Sequence, residues 1–448
     1  MEGDGLFSHC PHMLSLIGLL FALGLLIVLT MRGMNLFLAT PVCALVIALT
    51  SGIALLPPLA DGGASLTALY MEGFSSFIAS WFFMFLLGSL FGKMMEDSGA
   101  ADRVAQWVMA RIGASRAAFG IVAACAILTY GGVSVFVVAF SVYPTALVLF
   151  RAADLPRRFI PGAMAFGSIT FTMTSAGSPE IQNWIPIQFL NTSPWAAWEA
   201  SFITAAFMIV VGSWWLRRML MRAKAAGEKF EGRVGDPVAA RTDLPPLWSA
   251  LLPPLVVLVI SFWLHERFQT SALIVSLLSG SLAIALMCRK YLRNPGHALA
   301  QGSIGALVAI GNTAAVVGFG AVAKNAPAFV AGVDWLTHSG MGGLAGAAIA
   351  VTVIAAMTGS ASGGQAVALP LLAPGYLESG VNPEHLHRAV AISSGGLDSL
   401  PHNGYVVTTV RAICGETHRD AYGPIGALTV ILPAAGLALC LLLFELGL

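Results

Sequence analysis

Charge is the scarcest property of this sequence. Lys and Arg number 23 and Asp and Glu 22, together 10% of 448 residues, where a soluble domain carries about 25%. With 57% hydrophobic residues and a mean hydropathy of +0.82, the shortage excludes a soluble chain and points to an integral membrane protein. A net charge of +1 gives no basis for binding nucleic acid. Cysteine is sparse as well. Cys10, Cys43, Cys125, Cys288, Cys414 and Cys440 are scattered without C-x-x-C spacing, so neither a metal site nor a disulfide framework is supported; they read as small buried hydrophobes. No G-x-x-x-x-G-K-[ST] sequence occurs, nor a soluble segment large enough to hydrolyse ATP. The driving force is then an ion gradient or nothing, and no cofactor is expected beyond a coupling proton or Na⁺.

Residues 1–12 carry Glu2 and Asp4 but no Lys or Arg, and the apolar run that follows is long for a signal core. It reads as a retained first span. Stretches of about 20 apolar residues predict spans at Met13–Thr30, Leu36–Leu56, Ser75–Met94, Ala196–Leu216, Leu247–Leu264, Ser271–Met287, Ser303–Ala323, Met341–Met357 and Gly423–Phe444. Segments 117–150, 158–190, 362–376 and 386–410 are apolar but broken by Gly, Pro and polar clusters, as in re-entrant or discontinuous helices. Basic residues gather at 217–241, with further groups at Arg32, Lys93 to Arg116, Arg151 to Arg158 and Arg289 to Arg293. Placing them on the cytoplasmic side puts both termini outside.

The basic segment divides the chain near its middle, and the two parts share a pattern. Gly359 in "MTGSASGG" follows Gly132 in "TYGGVS" by 359 − 132 = 227 residues, and Pro383 follows Pro156 by the same number. Lys324 follows Lys93 by 231, in "VGFGAVAKNA" and "LGSLFGKMME". Since Met13–Thr30 runs inward and Leu247–Leu264 outward, the halves are expected to be inverted repeats. The fold class is therefore an all-α polytopic membrane protein. Its first repeat covers 1–216 (hairpin 117–150, broken helix 158–190), a cytoplasmic linker 217–246, and a second repeat 247–448 (hairpin 341–376, broken helix 386–410).

Four polar clusters interrupt the apolar stretches, two in each half: 129–134, 172–183, 358–365 and 393–403. Non-helical backbone is tolerated at membrane depth only where protein buries it or it lines a cavity. Pro179, Pro401 and the glycines break helices there, and the N–H groups they expose suit a carboxylate. Candidate substrate-binding residues are Gly131, Gly132, Ser134, Thr174, Ser175, Gly177, Ser178, Gln182, Asn183, Thr358, Ser360, Ser362, Gln365, Ser394, Gly395, Gly396 and Asn403. For an isolated residue such as Ser134, close helix packing explains the choice equally well. An ionisable side chain at membrane depth marks a pathway or proton relay, which singles out Asp398, His402 and Glu180. Asp398 and His402 stand four apart and would share a helix face, although Pro401 between them argues against a regular helix. The structural alternatives are a helix cap for Asp398, a backbone-bonded His402 and a first-turn acid for Glu180. His385, His387 and Arg388 read as a cytoplasmic or cavity edge, and Trp81, Trp184, Trp195, Trp214 and Trp215 as interfacial aromatics.

The stretches "LTYGGVSVFVVAFSVYP", "LPRRFIPGAMAFGSITFTMTSAGSPEIQNWIP", "TGSASGGQAVALP" and "HRAVAISSGGLDSLPHNGYVVTT" resemble the gluconate:proton symporter (GntP) family of the ion transporter superfamily. The resemblance runs from about residue 13 to the end, and "SGGLDSLPHNG" is its most specific motif. It implies scaffold and transport domains, hairpin tips at Gly131–Ser134 and Thr358–Gln365, and unwound segments at Thr174–Asn183 and Ser394–Asn403. A homodimer in the bacterial inner membrane, an elevator motion and proton-coupled uptake of small organic or hydroxy acids are also implied. "TSAGSPEIQNWIP" is closer to a hydroxybutyrate-permease-like branch than to gluconate permeases proper, which favours a short, partly apolar carboxylate. The competing readings are Na⁺ coupling, a channel, and a polytopic membrane enzyme using His402 with Asp398 or a serine. Duplication of the clusters argues against the enzyme.

Overall fold

The computed structural model describes residues 10–32, 34–57, 64–112, 116–233, 236, 242–268, 271–338, 343–401 and 403–448. Among them the regular structure is helical, with one isolated bridge from Ala54 to Ser65. The first half contains α1 (Cys10–Met31), α2 (Leu36–Ser51), α3 (Leu66–Asp97), α4 (Ala100–Ile112), α5 (Ala117–Tyr130), α6 (Val135–Ala152), α7 (Ile160–Ala165), α8 (Ile185–Leu190) and α9 (Trp198–Ala225). The second contains α10 (Leu247–Phe268), α11 (Ser271–Met287), α12 (Pro295–Ala323), α13 (Pro327–His338), α14 (Leu344–Thr358), α15 (Ala361–Glu378), α16 (Pro383–Ser394), α17 (Gly404–Val407), α18 (His418–Gly426) and α19 (Leu432–Glu445). Helix order repeats: α13 starts 227 residues after α4, and α14 starts 227 after α5.

Seven of the described helical stretches are long and apolar enough to cross a membrane. Solvation follows the same logic. Trp263, Leu286, Val210 and Phe83 stand well exposed on the outside, while Arg388, Gln365, Asn183 and Ser394 are sealed within. Such a distribution is unstable in water and suits a hydrocarbon solvent. The chain is a multi-pass membrane protein.

Three sequence expectations change. The predicted span Leu36–Leu56 ends at Ser51, where Gly52 takes the left-handed conformation and its N–H returns to Ala48. The linker expected from Arg217 begins instead after Ala225. Arg217, Arg218, Arg222 and Lys224 continue α9 because cations are favourable at a helix C-terminus. Trp81 and Trp184 are core residues rather than interfacial ones.

The long helices α3 and α12 pack along each other through small residues. A Cβ added at Gly73 would lie 2.6 Å from the Ala321 Cβ, and one at Gly318 would lie 2.8 Å from the Tyr70 carbonyl, so glycine is what permits the approach. The pairs α5–α6 and α14–α15 form two hairpins. Each reverses at a glycine with positive φ, Gly132 (87°) and Gly359 (58°), a conformation that side chains with a Cβ resist.

The connector after α9 folds back by charge. Arg158 holds both Glu228 oxygens, at 2.7 and 2.8 Å, and buried Arg157 meets Asp236 at 3.1 Å and Glu416 at 2.8 Å. Arg158 keeps the Glu228 carboxyl below its ordinary range, so this contact contributes above about pH 4.3, the unfolded value. It is lost as pH falls through the folded value. Because a partly exposed pair contributes at most about 1 kcal/mol, Glu228→Gln should speed amide exchange in 226–233 by no more than about fivefold at pH 7. The same loss of protection, after correction for the slower intrinsic exchange in acid, should come from acidifying the native protein; unchanged protection in both would show that the pair does not hold the connector.

Candidate functional site

Helix breaks create the site. In the first half α7 passes through a π turn at Phe166–Thr170 and then loses regular structure until a 3-10 turn at Ile181–Asn183. In the second, α16 stops at Ser394 and α17 starts at Gly404. These two unwound segments touch: a Cβ on Gly395 would sit 3.0 Å from the Thr174 methyl. The hairpin tips pack on them. Tyr130 Oη donates to the Ala176 carbonyl at 2.5 Å, and a Cβ on Gly132 would meet Pro179 at 3.5 Å. From the second tip, Gln365 Nε2 donates to Ser394 Oγ (2.8 Å) and to the Gln182 carbonyl (3.0 Å), joining both segments. Asn403 Nδ2 donates to the Gly359 carbonyl at 3.1 Å, while its Oδ1 accepts from Val406 N and caps α17.

The buried charge at the centre is Arg388. It was expected at an edge, yet it is 0% exposed. Nε donates to the Ala196 carbonyl. Nη1 donates to the Thr174 carbonyl (2.6 Å) and Asn183 Oδ1 (2.9 Å), and Nη2 to the Pro194 and Ala196 carbonyls. All five N–H groups are used, and every partner is a neutral dipole. Burial is possible because the non-helical stretches 171–180 and 191–197 leave the Thr174, Pro194 and Ala196 carbonyls free of helix bonds. The signal was present in the sequence: Arg388 precedes Gly395, the residue that ends α16, by seven positions, two helical turns along one face.

The three acidic and histidine candidates separate. Asp398 is buried, accepts from Ser399 Oγ at 2.8 Å and from the Ala361 backbone N–H at the start of α15. That is a capping position. Glu180 is half-buried, and its carboxylate has no hydrogen-bond or ion-pair partner among the described residues. His402 lies outside the described residues.

The hydroxyls are mostly committed. Thr172 Oγ1 donates to the Gly167 and Ser168 carbonyls, Thr174 Oγ1 to Thr170, and Ser175 Oγ to Phe171. Ser178 Oγ accepts from Glu180 N, and its carbonyl accepts from Asn183 Nδ2 and Trp184 Nε1. Gly177, with φ of 75°, accommodates the Trp195 ring, which any Cβ would strike. Ser360 caps α15 through Gly363 N and lies 3.4 Å from Ser362. Ser134 precedes α6 without capping it. Thr358 closes α14, and its side chain is outside the described ones. Gly131 and Gly396 sit at the tip and in the second unwound segment. Among the described residues the buried side-chain oxygens of Gln182 and Gln365 accept no hydrogen bond.

Chemically, the described residues offer buried dipoles around one cation, a carboxylate without a partner among them and two acceptors without a donor among them. Comparison with known proteins agrees with a membrane carrier. The profile of GntP family permeases matches residues 14–268. The uncharacterized transporter YxjC of Bacillus subtilis (strain 168) is 34% identical over 466 aligned positions, covering 94% of this chain and 97% of YxjC. The high-affinity gluconate transporter of Escherichia coli (strain K12) is 27% identical over 147 positions, 32% of this chain and 31% of that protein. Among solved structures, the Alcanivorax borkumensis YdaH transporter, described as having an unusual topology, aligns with a TM-score of 0.55 over 98% of this chain and 99% of YdaH. At 15% identity, that likeness is one of fold. The extent of the family match, joined to the nearly full-length similarity to YxjC, means that this chain belongs to the GntP permease family.

Proposed function

We propose that this chain is a secondary active transporter that takes up a small organic carboxylate or hydroxy acid by proton symport. The observation that carries the reading is the placement of Glu180, without a partner among the described residues, in the same unwound segment whose Thr174 carbonyl and Asn183 amide solvate Arg388. A buried cation surrounded only by dipoles attracts an anion, and an ionised carboxylate in the same unwound segment repels one that comes near it. At about 5 Å and an effective dielectric of about 20, two like charges repel by about 3 kcal/mol, or more than 100-fold in affinity. A carboxylate substrate therefore binds together with a proton on Glu180, and the pair crosses as one neutral unit.

The related order of helices in the two halves supports inverted repeats, and with them alternating access by an elevator motion of a transport domain against a scaffold. Placement in a bacterial inner membrane, both termini outside and a homodimeric assembly belong to the same proposal. A relative named as a gluconate transporter supports an organic-acid substrate.

Counterflow in proteoliposomes tests the transport claim. Vesicles loaded with an unlabelled acid should take up the labelled acid transiently above equilibrium for at least one member of a panel of hydroxy and unsubstituted monocarboxylates. Counterflow of no acid at any pH would remove the reading.

A further inference from the structure

We propose that Gln365, with Gln182 beside it, reads a hydroxyl group on the substrate and so excludes the corresponding keto acid. The proposal rests on the transport reading above and assigns the polar end of the substrate to a place.

The orientation of the Gln365 amide follows from its neighbours. Its Nε2 lies 3.0 Å from the Gln182 carbonyl, which can only accept; turning the amide over would set two oxygens against each other. Its second contact, Ser394 Oγ at 2.8 Å, agrees, because the Ser394 hydroxyl donates to the Ala391 carbonyl. Gln365 Oε1 is thus left as an acceptor on a side chain that is 0% exposed. Buried polar atoms in native proteins almost always have partners, and an exception calls for a ligand or an ordered water.

The described side-chain donors of Arg388, Asn183, Thr174 and Ser175 are already engaged. The five Arg388 N–H groups go to Thr174, Asn183, Pro194 and Ala196. Both Asn183 Nδ2 protons go to Ser178 and Pro194 carbonyls. The Thr174 and Ser175 hydroxyls go to carbonyls of the preceding turn. Gln182, whose backbone carbonyl holds the Gln365 amide, also carries a side-chain oxygen without a partner among the described residues. The single proton of an alcohol O–H matches the Gln365 acceptor. A keto oxygen, itself an acceptor, meets it unfavourably, and an unsubstituted chain leaves it unpaired. Sites built around such a bond discriminate strongly against the analogue that lacks it.

The test is competition counterflow with 3-hydroxybutyrate, acetoacetate and butyrate in Na⁺-free proteoliposomes, repeated with Na⁺. The hydroxy acid should compete at least about tenfold better than either analogue, with no effect of Na⁺. Gln365→Met and Gln182→Met should each reduce that preference to below about threefold. Gln182→Met retains the backbone carbonyl that Gln365 holds, so it reports even where Gln365→Met does not fold. Equal competition by the three acids in the wild type, which would mean that water fills the position, overturns the subsite and leaves transport standing. A preference that depends on Na⁺ assigns the oxygens to a cation and overturns it too. Loss of all counterflow in the wild type removes the transport reading and the subsite together.

Discussion

Replacing Glu180 by Gln should abolish accumulation of substrate driven by a pH gradient and leave exchange intact. Glutamine keeps the size of the side chain and mimics the protonated acid, so the anion still binds and crosses. It cannot release a proton on the far side, so the gradient no longer drives the cycle. With one proton per monoanion, a gradient of one pH unit, worth 1.36 kcal/mol, accumulates substrate about tenfold in the wild type and not at all in Glu180→Gln. Asp398→Asn should behave differently. Asp398 accepts from Ser399 and from the first N–H of α15, so its loss loosens the hairpin and slows transport without uncoupling it. Tenfold accumulation by Glu180→Gln, or uncoupled exchange by Asp398→Asn, would reverse the assignment.

Arg388→Ala should prevent stable folding. The substitution strips donors from the buried carbonyls of Thr174, Pro194 and Ala196 and from the buried Asn183 Oδ1. An orphaned buried acceptor costs about 1–3 kcal/mol, so several together exceed what most single substitutions remove. The Pro194 carbonyl also accepts from Gly177 N and Asn183 Nδ2, which makes it the least affected. Arg388→Lys keeps the charge with three donors in place of five; it should fold with a lowered melting temperature and transport at less than about a tenth of the native rate. Melting of the detergent-solubilised protein, followed by the temperature at which the monodisperse peak is lost, measures both. An alanine variant that melts and transports like the native protein would show that Arg388 is not what holds the unwound segment.

The residues that could be read from sequence were those whose chemistry contradicts a hydrocarbon setting. Gly132, Gly359, Pro179 and Asn403 stand out among Ala, Leu and Val, and they do mark the tips and the unwound chain. What could not be read depends on partners far away in the chain. Arg388 was taken for an edge residue because the carbonyls that solvate it lie about 200 positions earlier, freed by a break in another helix. Asp398 and Glu180 looked equivalent, since each belongs to a polar cluster. Only the fold supplies Asp398 with the α15 N–H and leaves the Glu180 carboxylate without a partner among the described residues. The basic run after Leu216 was read as linker from its charge alone, whereas its first nine residues extend α9.

The coupling of substrate to a proton through Glu180 is the central claim, and proton movement tests it most directly. Proteoliposomes with a trapped pH-sensitive dye, in Na⁺-free medium without an imposed gradient, are given the transported acid, with protein-free vesicles correcting for passive entry of the neutral acid. The expected result is acidification of the lumen at one proton per substrate, absent in Glu180→Gln. Substrate uptake with no acidification, or uptake that begins only when Na⁺ is added at fixed pH, would contradict it.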